Sequence, residues 1–138
     1  MNVRSLLAAL TTGGKAAFLS SVFGVVILFV YGFMANREVI FLHTGLVTIA
    51  IISAFMGGAR GTLADGTMGW VHGAMVSLLY LFAILVLKFF LFPTAVNGIE
   101  DVLFFTGVLF AGAMGGVAGI NLRPIQRQRV KRKYLRGL

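Results

Sequence analysis

Cysteine is absent from the 138-residue sequence, which removes disulfides, thiolate metal sites and thiol nucleophiles together. Charge is scarce: 12% of residues are charged, where a soluble domain carries about a quarter. Acids are scarcest, with Glu38, Asp65, Glu100 and Asp101 the full set. None of them sits inside a long apolar run, so a proton- or sodium-coupled relay lacks its usual carboxylates. No G-x-S-x-G, H-E-x-x-H, P-loop or paired-carboxylate arrangement occurs, and no enzymatic activity is expected. Ser20, Ser21, Ser53 and Ser77 fall within apolar runs, where small hydroxyls return their hydrogen bond to the helix or bridge to a neighbour. His43 and His72 fall near opposite ends of two such runs and cannot share a metal; no metal or cofactor is expected.

What the sequence has is apolar surface. It is 59% hydrophobic, with a mean hydropathy of +0.96, more than a small soluble fold can hide from water. Crossing a hydrocarbon core takes roughly 20 apolar residues in helix. Four runs meet that need: about 16–34, 39–59, 68–92 and 102–120. Backbone groups facing lipid must be bonded within their own segment, so each run is expected to be a helix. The expected fold is an all-α membrane protein, a four-transmembrane-helix bundle over residues 16–122. Residues 1–15 read as a cytoplasmic lead-in of one or two interfacial turns, and 123–138 as a basic cytoplasmic tail. Short connections at Ala35–Glu38, Arg60–Thr67 and Pro93–Asp101 leave no room for a soluble domain, and Pro93 is expected to stop the third helix.

Positive charge sets the orientation. Arg4, Lys15, Arg60 and the tail residues Arg123, Arg127, Arg129, Lys131, Arg132, Lys133 and Arg136 fall on one side. Arg37 falls on the other with Glu38, Glu100 and Asp101. Both termini are therefore expected in the cytoplasm of a bacterial cell, with the chain multi-pass in the plasma membrane. The tail cations are expected to lie on the lipid surface against anionic headgroups, which weighs against nucleic acid as a partner. Lys88, the one charge inside a run, is expected to snorkel outward toward Glu38, Glu100 or Asp101.

The second run ends Met56-Gly57-Gly58-Ala59-Arg60-Gly61 and the fourth Met114-Gly115-Gly116-Val117-Ala118-Gly119. Both fit M-G-G-x-x-G at a spacing of 58, with Thr48 and Thr106 in the same register. Two tandem helical hairpins in a parallel repeat are expected. Gly57, Gly58, Gly61, Gly112, Gly115, Gly116 and Gly119, with Gly69 and Gly73, give small-residue spacings that let helices approach closely. The second and fourth helices are expected near the bundle centre.

Arg60, Asp65, Trp70 and His72 gather at one membrane surface. Together they could hold an anionic headgroup or a partner's carboxylate. Taken singly, Arg60 is a positive anchor, Asp65-Gly66 a turn, Trp70 an interfacial belt residue and His72 a side chain bonded to nearby backbone.

The stretch from Gly57-Gly58 through Gly69-Trp70-Val71-His72-Gly73 to Leu78-Leu79-Tyr80 resembles the signature of a family of small four-span membrane proteins of unknown function, mainly from Gram-positive bacteria. The segment Gly112–Leu122 is similar to that family's G-x-x-G-G-x-x-G-x-N ending. The resemblance runs from about Ala16 to Leu122 and implies the architecture without an activity. The expected role is a non-enzymatic accessory or scaffold subunit, as a homo-oligomer or within a larger membrane complex. The alternative is a small oligomeric channel or transporter.

Overall fold

The computed structural model describes four helices: α1 Val3–Ala35, α2 Val39–Asp65, α3 Gly69–Leu91 and α4 Gly98–Arg136. Within them, the side chains of 4, 5, 39–42, 64, 65, 91 and 123–136 are not described. No strand occurs among the described residues. Each helix contains a stretch long and apolar enough to cross a membrane: Leu6–Ala35, His43–Leu63, Gly69–Phe90 and Gly98–Leu122. The chain is an all-α, multi-pass membrane protein. The expected turns at 36–38, 66–67 and 93–97 lie outside the described residues.

Four boundaries differ from the sequence reading: the starts of α1 and α4 and the ends of α2 and α4, the last lying at Arg136 and not near residue 120. α1 starts at Val3, so residues 3–15 continue the first span and form no separate interfacial lead-in. Ala9 and Ala17 are fully buried, and a β-carbon on Gly61 would lie 2.9 Å from the Ala9 carbonyl oxygen. This segment is part of the bundle. α2 runs on to Asp65 although Gly57, Gly58 and Gly61 lower helix propensity. The close neighbours of those glycines outweigh a cost of about 1 kcal/mol per residue. α4 opens at Gly98, with Glu100 and Asp101 in its first turn, where acids favour the positive end of the helix dipole.

The helices stand in the ring order α1, α2, α4, α3. α2 also touches α3 across the ring, whereas α1 and α4 share no contact among the described residues. α2 and α4 are the two most buried spans and pack against each other, as expected of helices near the bundle centre. They pack side by side, but the touching diagonal is α2–α3. Val76 explains it. This buried residue of α3 puts its methyl groups 2.8 to 3.3 Å from where β-carbons on Gly13, Gly57 and Gly61 would stand. It fills a cup made of three glycines on α1 and α2.

Residue size is sorted as a lipid solvent demands. Ala17, Ala50, Ala54, Val108, Leu81 and Tyr80 form the buried core. Bulky Phe18, Phe23, Phe29 and Phe110 face outward, and Phe33 is 92% exposed. Hydrocarbon outside gives no penalty for exposed phenyl rings, so close packing of small residues holds the helices together.

Candidate functional site

The glycine seam is where the backbone comes closest to backbone. α1 meets α2 where the Gly13 β-position lies 2.7 Å from the Gly57 oxygen and the Gly57 β-position 2.7 Å from the Ala17 β-carbon. α3 meets α4 in the same manner. A β-carbon on Gly73 would fall on the Gly112 oxygen, one on Gly112 would fall on Ser77, and one on Gly116 would fall on the Gly69 oxygen. In both helix pairs, α1–α2 and α3–α4, a glycine pair four residues apart on the second helix (Gly57 and Gly61; Gly112 and Gly116) receives the first.

α2 and α4 join through the remaining glycines. A β-carbon on Gly58 would meet the Gly112 oxygen, and one on Gly115 would meet the Phe55 oxygen. The Gly119 β-position lies 2.5 Å from the Ala59 oxygen. All nine glycines singled out in the sequence stand in these seams. Gly13, Gly24 and Gly45 were missed because they lie outside the repeated M-G-G-x-x-G motif, although Gly13 has Ala9 and Ala17 four residues to either side. At Gly24 and Gly45 the nearest neighbours are the side chains of Ile49 and Leu28.

Buried hydroxyls stitch the seams. Thr62 shares its hydroxyl proton between the Gly58 carbonyl at 2.8 Å and the Gly69 carbonyl of α3 at 3.2 Å. Ser21 donates to the Ala17 carbonyl at 2.9 Å and accepts from the Tyr80 hydroxyl at 2.5 Å, tying α1 to α3. Ser77 donates to the Ala74 carbonyl at 2.9 Å. Thr62→Val keeps the shape and removes the bond across to α3. Its expected cost is about 0.5 to 1.5 kcal/mol, measurable as a lower unfolding midpoint in detergent.

The constellation Arg60, Asp65, Trp70 and His72 does not form one surface site. His72 is 1% exposed, the largest fully buried side chain among the described residues, while Trp70 is 64% exposed. Arg60 is exposed. His72 stands one helical turn before Val76 and shares its inward face. Asp65 ends α2, and its side chain lies outside the described residues. The described residues include no group of three or more His, Cys, Asp or Glu able to hold a metal. The tail cations Arg127, Arg129, Lys131, Arg132, Lys133 and Arg136 stand on α4, and their side chains lie outside the described residues.

At the opposite end of the bundle the Lys88 ammonium donates to both carboxylate oxygens of Asp101, at 2.7 and 2.8 Å. This closes the α3–α4 hairpin, with a cation in the last turn of one helix and an anion in the first turn of the next. The side chains are 31% and 22% exposed, so solvent screening discounts the pair. Lys88→Met is expected to cost about 1 kcal/mol, read as a lower midpoint that added salt lowers little further.

No curated protein and no solved structure matches the chain. A family model described as "Protein of unknown function (DUF3792)" matches residues 6–119, from the first turns of α1 through the last seam glycine of α4. That span covers the greater part of all four membrane-crossing stretches, and the chain belongs to this family of proteins of unknown function.

Proposed function

We propose that the protein is a non-enzymatic accessory or scaffold subunit of the bacterial plasma membrane, with both termini in the cytoplasm, acting by helix–helix association. The observation that carries this reading is where the polar groups go. Thr62, Ser21, Tyr80 and Ser77 bond to the bundle's own backbone or to each other, and Lys88 is paired with Asp101. The cytoplasmic placement of both termini rests on charge. The contacts of Gly61 with Ala9 and of Gly116 with Gly69 put the start of α1, the end of α2, the start of α3 and the end of the α4 span at one level. Lys15, Arg60 and the basic tail belong to that end.

Association must then use the lipid-facing surface, because the seam glycines are occupied within the chain. Gly107 is an opening within the α4 span on that surface: a β-carbon there would meet nothing within 4 Å, as at Gly98 at the head of the same helix. The test is Gly107→Leu in the full chain. The expected result is a bundle that still folds but elutes as a smaller species in mild detergent. A wild-type protein that runs as a lone monomer under the same conditions and captures no membrane partner would overturn the proposal.

A further inference from the structure

α4 does not end at the membrane. Of its 39 residues, 25 make up the span Gly98–Leu122, which leaves 14 continuing as helix to Arg136. At about 1.5 Å per residue that is roughly 21 Å of helix beyond the apolar stretch. The extension passes through Pro124, which removes one backbone bond to Ile120 without ending the helix. No acidic residue occurs in it, and seven of the chain's twelve basic residues do.

The register of those cations distinguishes among partners. At about 100° per residue, Arg123, Arg127 and Lys131 fall on one side of the helix. Arg132 and Arg136, with Arg129 and Lys133, fall on the opposite side. Tyr134 falls among the first set and Ile125 among the second, with Val130 and Leu135 at the two flanks between them, so these four make no continuous apolar stripe. An interfacial helix needs such a stripe to sink into the acyl boundary. A flat anionic leaflet could meet only one of the two cationic sides. If the helix instead stands up, its last turns lie beyond the screening length of about 8 Å and gain little from the leaflet.

The helix also carries four like-charged pairs spaced i, i+4: 123 with 127, 127 with 131, 129 with 133, and 132 with 136. Such pairs oppose helix formation until anions stand between them. A partner whose anions surround the helix on two sides answers both features. Nucleic acid has that shape, a groove walled by two phosphate strands, and arginine outnumbers lysine five to two, as suits phosphate recognition.

We propose that the 123–136 extension of α4 is a membrane-tethered helix that binds the phosphate backbone of a nucleic-acid duplex. This revises the expectation of a tail lying on lipid, and it stands independently of the accessory-subunit reading.

The test uses the full chain in nanodiscs of neutral phosphatidylcholine, titrated with an RNA duplex, a DNA duplex of the same sequence, and polyglutamate. Both duplexes should bind, with log affinity falling linearly against log salt. Arg127→Gln with Lys131→Gln should reduce that slope by about 2, and so should Arg129→Gln with Lys133→Gln, since each pair releases about two counterions. Tighter RNA or tighter DNA binding identifies which duplex is the source, and equal binding indicates backbone recognition alone. The idea is overturned if neutral discs bind neither duplex, if polyglutamate binds more tightly, or if only one of the two pairs matters. It is overturned equally if the variants change only adhesion to anionic vesicles. Circular dichroism of the variants checks that the bundle itself is intact.

Discussion

Gly116→Leu should leave no folded bundle to purify. A β-carbon at Gly116 falls on the carbonyl oxygen of Gly69, with the Gly73 α-carbon also in the way. Both obstacles are backbone, so no rotamer change relieves them, and α3 must move off α4. Overpacking against flexible side chains costs about 1 to 3 kcal/mol. Here separation of the helices adds the loss of the contacts at Gly73, Gly112 and Thr62. The total is expected to consume most of a stability of about 5 to 15 kcal/mol. The measurement is the yield of monodisperse protein from mild detergent, with protease resistance as a second readout. A graded control comes from the other glycines. Gly45→Ala, where the obstacle is the end of the Leu28 side chain, should cost far less. Gly107→Ala, which meets nothing, should stabilise by up to about 1 kcal/mol through helix propensity alone. If Gly116→Leu and Gly107→Leu express and resist protease alike, close approach along the seam does not hold this fold.

The four crossings were legible in the sequence because lipid imposes a rule on length and composition that local detail cannot override. The seam glycines were legible too, since small residues every fourth position have few other uses in an apolar helix. The pairing was not legible. At a spacing of 58, Gly57 aligns with Gly115 and Gly58 with Gly116. The contacts match differently: Gly57 takes Ala17 as Gly112 takes Ser77, and Gly61 takes Ala9 as Gly116 takes Gly69. On α2 the leading glycine of the adjacent pair faces α1, and on α4 the trailing one faces α3. Adjacent glycines lie about 100° apart on a helix, so a motif that counts both cannot say which one points where. The constellation around His72 failed for a similar reason. Four polar residues close in sequence and near one membrane surface need not share a face, and His72 points inward while Trp70 points out. The helical course of residues 3–15 was hidden because Arg4, Lys15 and two threonines look like an interfacial segment. Its burial depends on Gly57 and Gly61, which are distant in sequence and belong to the next helix.

Val76 carries the other large expected effect, because it is where three helices meet. Its two methyl groups occupy a cup whose walls are Gly13, Gly57 and Gly61, and no solvent or lipid reaches it. Val76→Ala empties the cup. The lost methyls and the void they leave are expected to cost about 2 kcal/mol, since seams of backbone on backbone cannot relax inward. Val76→Phe should be worse than the void. A ring cannot enter a cup where even a glycine β-carbon would stand 2.8 Å from the present methyl, so α3 must leave the α1–α2 hairpin. The two variants should therefore separate by kind. The alanine form folds with a lower midpoint and broadened signals from α1, and the phenylalanine form fails to yield a monodisperse bundle. The expectation is specific to the α2–α3 diagonal. Val108, equally buried but on α4, which does not touch α1 among the described residues, should on mutation to alanine lower the midpoint without loosening α1. Equal loosening of α1 by Val108→Ala and Val76→Ala would mean that the cup is not what joins the first helix to the third.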